Sequence, residues 1–221
     1  RWCRNNQDIW PIMKMLVTDF GAVPDGYTDS TNALHAARDA AYAFNEDLYF
    51  PGGTGPYVTS GFALGGGEGK SIRCIGEDWN TKGFFYPTAS YPTKKVSSLM
   101  LKPGLVAANA DLVTVQAGGD NQAYITFERM GFYGNKPNIP GVTNSKLINV
   151  QDDVSAAAYP VGIRLLDCYG QEGKTGGFYI GQKRQSSIER TGLYLCGSTT
   201  SHLSMDLNSY DCVLRDVNIN G

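Results

Sequence analysis

The chain has 221 residues, enough to bury one sizeable core, and 27 of them are glycine. Its net charge of −2 and isoelectric point near 5.7 provide no basic field for nucleic acid, and no apolar run is long enough to span a membrane. The five cysteines form no C-x-x-C pair, which argues against a disulfide framework or a zinc site.

Residues 1–16 precede the first segment with a clear structural pattern. They begin with arginine rather than methionine and contain no apolar signal-peptide core. We predict that they form an N-terminal extension or linker.

Residues 17–62 predict a strand, a loop, one helix and a second strand. Val17–Phe20 alternates like a strand, and Gly21 and Gly26 allow the tight loop that follows it. After the helix, Leu48–Phe50 is a short apolar strand that ends at a proline. We interpret the whole segment as a strand and a capping helix that covers one end of a β-structure.

The helix is predicted from an apolar face opposite its charged residues. An oxygen of Asp29 or Ser30 would bind its first unpaired backbone N–H groups. His35 is expected at the surface. The apolar face consists of Ala33, Leu34, Ala37, Ala40, Ala41 and Phe44.

These elements together carry a resemblance that covers about forty residues. The residues are Val17, Asp19, Phe20, Gly21, Ala22, Asp25, Gly26, Asp29, Ser30, Thr31, Tyr49, Phe50, Pro51, Gly52 and Tyr57. Their order resembles the N-terminal capping signature of the pectate-lyase-like, right-handed parallel β-helix superfamily, and most closely its bacteriophage tailspike and polysaccharide depolymerase proteins. The resemblance implies an all-β solenoid with one N-terminal capping α-helix.

A repeat supports this fold independently. Phe127–Tyr133 recurs as Ile188–Tyr194 and, more loosely, as Leu214–Asn220, at offsets of 61 and 26 residues. Such offsets suit two or three rungs and then one, at roughly 20–30 residues per rung. In each copy the period-two alternation breaks once, which indicates a bend between two strands that both face inward. We predict that residues 63–221 are β-helix rungs that continue beyond this chain, as the front part of a longer protein.

Charged residues fall on the predicted bend. If the last rungs stack in this register, Glu189 lies beside Arg215 and Arg190 lies beside Asp216. Exposed pairs of this kind contribute little stability, and we interpret them as structural. The cysteines at 74, 168, 196 and 212 lie in or beside apolar runs and are expected to be buried in a reduced protein.

Carboxylates are the candidate catalytic groups. Glycoside hydrolysis uses two of them about 5–10 Å apart. Because stacked strands lie roughly 4.8 Å apart, acids one or two rungs apart meet this requirement. The candidates are Asp152, Asp153, Asp167 and Glu172.

Four further residues are candidates for substrate binding. Tyr169 and Tyr179 flank a glycine-rich loop, residues 170–177, that could form the rim of a groove. Arg164 and Lys174 could hold the negative charge that develops during a lyase reaction. We expect no metal ion and no cofactor.

The resemblance implies a tailspike-like protein that binds and cleaves bacterial surface polysaccharide, as a glycoside hydrolase or a polysaccharide lyase. Two alternatives stay open: a non-catalytic adhesin or virion appendage, and a secreted pectate-lyase-like enzyme. The resemblance also implies a homotrimer, located in the virion or outside the cell. Nucleic acid is not an expected partner, and neither is insertion into a membrane.

Overall fold

The computed structural model describes residues 14–65, 71–77, 97–116, 123–150, 161–180, 186–194, 203–205 and 213–220. Within these ranges the chain forms short strands, one α-helix and two short 3₁₀ helices. The α-helix, α1, spans Thr31–Phe44, and the 3₁₀ helices span Val17–Phe20 and Lys136–Asn138. None of these helices combines the length and the apolar character needed to cross a bilayer.

The strands form three parallel sheets. Sheet 1 contains, in order, β1 (Met15–Leu16), β2 (Leu48–Phe50), β5 (Ile72–Gly76), β8 (Ala123–Glu128), β11 (Val161–Leu166), β14 (Ser187–Glu189) and β17 (Val213–Arg215). Sheet 2 contains β3 (Tyr57–Thr59), β6 (Ser98–Leu101), β9 (Gly131–Tyr133), β12 (Tyr169–Gln171), β15 (Gly192–Tyr194) and β18 (Asn218–Asn220). Sheet 3 contains β4 (Phe62–Gly65), β7 (Val113–Gln116), β10 (Lys146–Val150), β13 (Gly176–Ile180) and β16 (Leu203–Met205).

Five rungs, which begin with β2, β5, β8, β11 and β14, pass in turn through sheet 1, sheet 2 and sheet 3, and the last described strands, β17 and β18, extend sheets 1 and 2. The register places Cys74, Phe127, Leu165, Ile188 and Leu214 in successive strands of sheet 1. The repeats predicted at 127, 188 and 214 are therefore confirmed, with one further rung between the first two. The fold is a right-handed parallel β-helix with one N-terminal helix, as predicted.

In four successive rungs, one residue makes the bend between sheets 1 and 2. Arg129, Asp167, Arg190 and Asp216 have φ angles of 55°, 53°, 46° and 51°. Each follows the last residue of a sheet 1 strand. The left-handed conformation costs a non-glycine residue about 1–2 kcal/mol, so its recurrence in four rungs reflects a requirement of the bend. This residue lies where the period-two alternation of the sequence breaks.

The inward side chains of the three sheets form one apolar core. Phe127, Phe132 and Phe178 are at most 1% exposed and pack edge to face, with ring centroids 5.2 and 5.9 Å apart. Cys74 and Cys168 are also buried, as predicted, whereas Cys196 and Cys212 lie outside the described residues. Burial raises the pKa of both thiols, to about 12 for Cys168.

The helix α1 covers the first rung of the solenoid. Leu34, Ala37 and Ala41 are buried, but Phe44, predicted on the same face, is 72% exposed. The helix ends at that residue, and Asn45 adopts the left-handed conformation, so Phe44 lies beyond the part of the face that packs on the core.

The predicted strand at Val17–Phe20 is a 3₁₀ helix instead. The strand β1 lies just before it, where Met15 and Leu16 pair with β2. Gly21 has a φ of 92°, and its N–H donates to the carbonyl of Thr18. This closes a turn where an extended strand would continue, since glycine adopts the left-handed conformation without a steric cost.

Two details of the cap follow from its side chains. Asp29 provides the capping oxygen and accepts a hydrogen bond from the backbone N–H of Thr31 at 3.0 Å, whereas Ser30 accepts one from Val23. His35 was expected at the surface, but it is half-buried, and its ring stacks on Phe62 at 6.2 Å. The expectation was wrong because His35 lies one residue beyond the buried Leu34, at the edge of the packed face.

Candidate functional site

A groove of about 900 Å³ lies on the outer face of sheet 1. Its lining comes from five successive strands, from β5 to β17. It is polar and charged, with three arginines, two glutamates, one threonine and two serines among its lining residues. It crosses the strands, so a ligand lying in it would run along the axis of the solenoid.

Two columns of outward-facing residues form the floor of the groove. Side chains alternate between the faces of a strand, so the neighbours of each inward residue point outward. The first column contains Arg73, Thr126, Arg164, Ser187 and Val213. The second column contains Glu128, Leu166, Glu189 and Arg215.

Ion pairs join neighbouring rungs along the groove. Arg73 donates to the Glu128 carboxylate, and Arg190 donates two hydrogen bonds to Asp167 at 2.6 and 2.9 Å. These hydrogen bonds raise the pKa of both guanidinium groups. Exposed pairs like these contribute little stability.

Of the two charged pairs predicted at the bend, one is confirmed. Arg215 lies 3.7 Å from Glu189, as expected. Arg190 is paired with Asp167 of the preceding rung rather than with Asp216. The bidentate contact with Asp167 uses Nε and Nη2 of the arginine.

Arg164 differs from the other arginines of the groove. Its guanidinium carbon lies 4.7 Å from the ring centroid of Tyr124, close enough for a cation–π contact. The side chain is exposed, and within the described ranges it forms no ion pair with a carboxylate.

The structure places two of the predicted site residues at or beside this groove. Arg164 lines it directly. Asp167 borders it through its hydrogen bonds with Arg190. Asp152 and Asp153 lie outside the described residues, so their catalytic role stays a prediction.

The other candidates lie on different faces of the solenoid. Tyr169 is in sheet 2, and Tyr179 is in sheet 3, where Lys146 lies 4.3 Å from its ring centroid. Glu172 accepts a hydrogen bond from the Tyr133 hydroxyl at 2.7 Å. Lys174 donates to two backbone carbonyls, those of residues 139 and 140.

These candidates therefore do not form one site with Asp167. Asp167 lies at the bend after β11 of sheet 1, whereas Glu172 follows β12 of sheet 2. The glycine-rich loop expected at residues 170–177 is also not a rim. Gly170 lies in β12, where an added Cβ would come within 2.6 Å of the Leu147 and Leu193 side chains, so this glycine faces the core.

Several residues of the groove were not among the predicted site residues. Arg73, Thr126 and Ser187 share the column of Arg164, and Glu128 and Glu189 share the next one. The repeat had already shown the last two at equivalent positions. The groove could have been predicted from these equivalent positions. They indicate that Glu128 and Glu189 lie on the same outer face of the solenoid.

Within the described part of the chain, no group of three or more histidine, cysteine, aspartate or glutamate residues is placed to hold a metal ion. The carboxylates that line the groove are instead engaged by arginines.

No protein-family model matches this chain, and no curated protein matches its sequence. Solved structures do match its fold. The A-module of the mannuronan C-5 epimerase AlgE4 from Azotobacter vinelandii has a TM-score of 0.59 and 18% identity, over 91% of this chain and 50% of that one. The A-module of AlgE6 from the same organism has a TM-score of 0.60 and 18% identity, over 93% and 56%.

A phage protein, ORF18 of Geobacillus virus E2, matches with a TM-score of 0.42 and 16% identity, over 90% of this chain and 41% of that one. This similarity is too low to support an argument. The chain spans about half the length of the epimerase modules that it matches. At these identities the epimerase matches establish the parallel β-helix fold alone.

Proposed function

We propose that this β-helix binds bacterial surface polysaccharide in the groove on sheet 1. The observation that carries the proposal is the groove itself, an open channel about 900 Å³ in volume that crosses five strands. A long, unbranched ligand fits such a channel better than a compact one, because each rung adds another set of contacts along the same line.

The lining suits a hydroxyl-rich polymer. Thr126 and Ser187 provide hydroxyl groups, and the arginines and glutamates provide charged donors and acceptors. Tyr124 adds an aromatic ring at the edge of the first column. A polysaccharide offers many hydroxyl groups and apolar ring faces, so it can use both kinds of contact.

The geometry favours binding over hydrolysis at this groove. Glu128 and Glu189 lie two strands apart, so their backbones are separated by about 9.6 Å, close to the 6.5–9.5 Å between the carboxyl groups of inverting glycosidases. However, Glu128 accepts from Arg73, and Glu189 lies beside Arg215. A general acid must carry a proton to donate, and carboxylates held by guanidinium groups serve better as acceptors.

By its resemblance, the protein is proposed to act as a tailspike-like depolymerase, a homotrimer of the virion. The A-module matches are polysaccharide epimerases by name, which supports a carbohydrate ligand through fold analogy only. The second candidate function is a non-catalytic adhesin, and the ion-paired carboxylates favour it. A secreted lyase remains the third.

The test is to block the groove. Thr126 lies in the middle of β8 and faces outward between two buried residues, so Thr126→Trp would fill the channel without disturbing the core. Thr114 has the same setting in β7 of sheet 3, and Thr114→Trp is the matched control. We expect only the Thr126 variant to lose binding to polysaccharides of candidate host bacteria, measured by glycan array and calorimetry.

Equal binding by both variants would contradict the location of the site. The same polysaccharides should be analysed for chain length and for unsaturated ends after incubation with the protein. Shortened chains would support a depolymerase, unsaturated ends would identify a lyase, and binding without either change would support the adhesin.

A further inference from the structure

The arginines of the groove differ in whether they are paired with a carboxylate of the protein, and this bears on which ligand the groove binds. Three arginines of the described residues line it, and two of them are ion-paired: Arg73 with Glu128, and Arg190 with Asp167. Among the described residues, Arg164 has a tyrosine ring as its contact and no carboxylate. The groove therefore holds one guanidinium, that of Arg164, whose charge no carboxylate of the described residues compensates.

The position of Arg164 makes this charge available to a ligand. It lies in the middle of the first column, between Thr126 of one neighbouring strand and Ser187 of the other. Its side chain is exposed, and the ring of Tyr124 lies 4.7 Å from the guanidinium carbon. A guanidinium that contacts a ring with its face still has its N–H donors at the edge, where they can bind a carboxylate with two hydrogen bonds.

The neighbouring hydroxyl groups complete the recognition site. Thr126 and Ser187 are half-buried, and each lies one strand, about 4.8 Å, from Arg164. They can bind the hydroxyl groups of a sugar whose acidic group is held by the arginine. The guanidinium of Arg164 therefore has a hydroxyl group on each side of it along the axis of the solenoid.

We infer that the groove selects polysaccharides whose sugars carry a carboxylate, and that Arg164 is the residue that determines this preference over neutral polysaccharides. The inference rests on the proposed polysaccharide function of the same groove. Arg73 and Arg190 contribute less to the selection, because a ligand carboxylate would have to displace Glu128 or Asp167 from them.

The test varies the protein and the ligand together. The probes are bacterial polysaccharides that contain uronic acid, the same polymers after their carboxyl groups have been reduced to alcohols, and neutral polysaccharides. The proteins are the wild type, Arg164→Gln, and the control Lys102→Gln. Lys102 pairs with Asp29 near the cap, so its variant removes the same charge away from the groove.

We expect carboxyl reduction to weaken binding to the wild type by about tenfold or more, the scale of a charge-assisted hydrogen bond. Arg164→Gln should bind the acidic and the reduced polymer with nearly equal affinity. Lys102→Gln should keep the wild-type preference. Binding of the acidic polymer should also weaken as the salt concentration rises.

Three results would overturn the inference. The wild type could bind neutral or reduced polymers as tightly as acidic ones, which would leave the proposed function standing without this preference. Arg164→Gln could lower the affinity for the acidic and the reduced polymer by the same factor, which would indicate a structural role for the arginine. If the wild type binds no polysaccharide at all, the proposed function fails together with the inference.

Discussion

Replacement of Phe127 by alanine tests the packing of the solenoid core. Phe127 is fully buried, and its ring packs edge to face against Phe132, at 5.2 Å between centroids and 89° between planes. Phe→Ala at such a site costs about 3–5 kcal/mol, from the lost transfer energy and the cavity left behind. We expect the upper half of this range, because hydrogen-bonded strands above and below β8 prevent the rung from collapsing into the cavity.

Phe44→Ala is the matched control. It removes the same side chain from a site that is 72% exposed, where the expected change is within about 0.5 kcal/mol. Urea unfolding followed by far-ultraviolet circular dichroism measures both variants. For a urea slope near 3 kcal/mol per molar, Phe127→Ala should lower the unfolding midpoint by about 1 M or more.

Which strands of the Phe127→Ala variant lose stability first is a second measurement. A solenoid is stabilised mainly by contacts between neighbouring rungs. Amide hydrogen exchange in the Phe127→Ala variant should therefore accelerate in β8, β9, β11 and β12 before it accelerates in α1. Equal midpoint shifts for Phe127→Ala and Phe44→Ala, or uniform loss of protection along the chain, would refute this account of the core.

Three further predictions concern close contacts and buried groups. Gly76→Ala should destabilise the protein by about 1–3 kcal/mol in urea unfolding, because the added Cβ would lie 2.0 Å from the Arg129 carbonyl oxygen of the next rung. Burial lowers the pKa of His35, so the unfolded chain binds the proton more readily, and stability should fall as the pH drops below about 6.5. Cys74 and Cys168 should resist alkylation in the folded protein, because burial raises the pKa of both thiols.

Each of these three predictions has a control or a result that would contradict it. A Gly76→Ala midpoint equal to that of the wild type would show that the rungs separate easily at this point. His35→Gln should flatten the acid side of the stability curve between pH 7.5 and 5.5, and an unchanged slope would assign the effect to other groups. Mass spectrometry after alkylation in urea should show that both cysteines react once unfolded, and rapid reaction of either in the native protein would contradict its burial.

The sequence alone determined the architecture, because a β-helix is specified by local signals that repeat. The alternation around Phe127, Ile188 and Leu214 predicted two inward-facing strands joined by a bend, and the structure shows a left-handed residue at that bend. The apolar face of α1 predicted a covering helix in the same way. These patterns depend only on which side chains must leave water within one element.

Only the tertiary structure decided the site. Successive core residues of sheet 1 are separated by irregular distances, from 53 residues between Cys74 and Phe127 to 23 between Leu165 and Ile188. Because the turns between strands vary so much in length, spacing in the sequence does not reveal that Arg73, Thr126 and Arg164 share one column. Hydrogen-bond register between rungs fixes that column, and it places Arg164 between Thr126 and Ser187 on the floor of the groove.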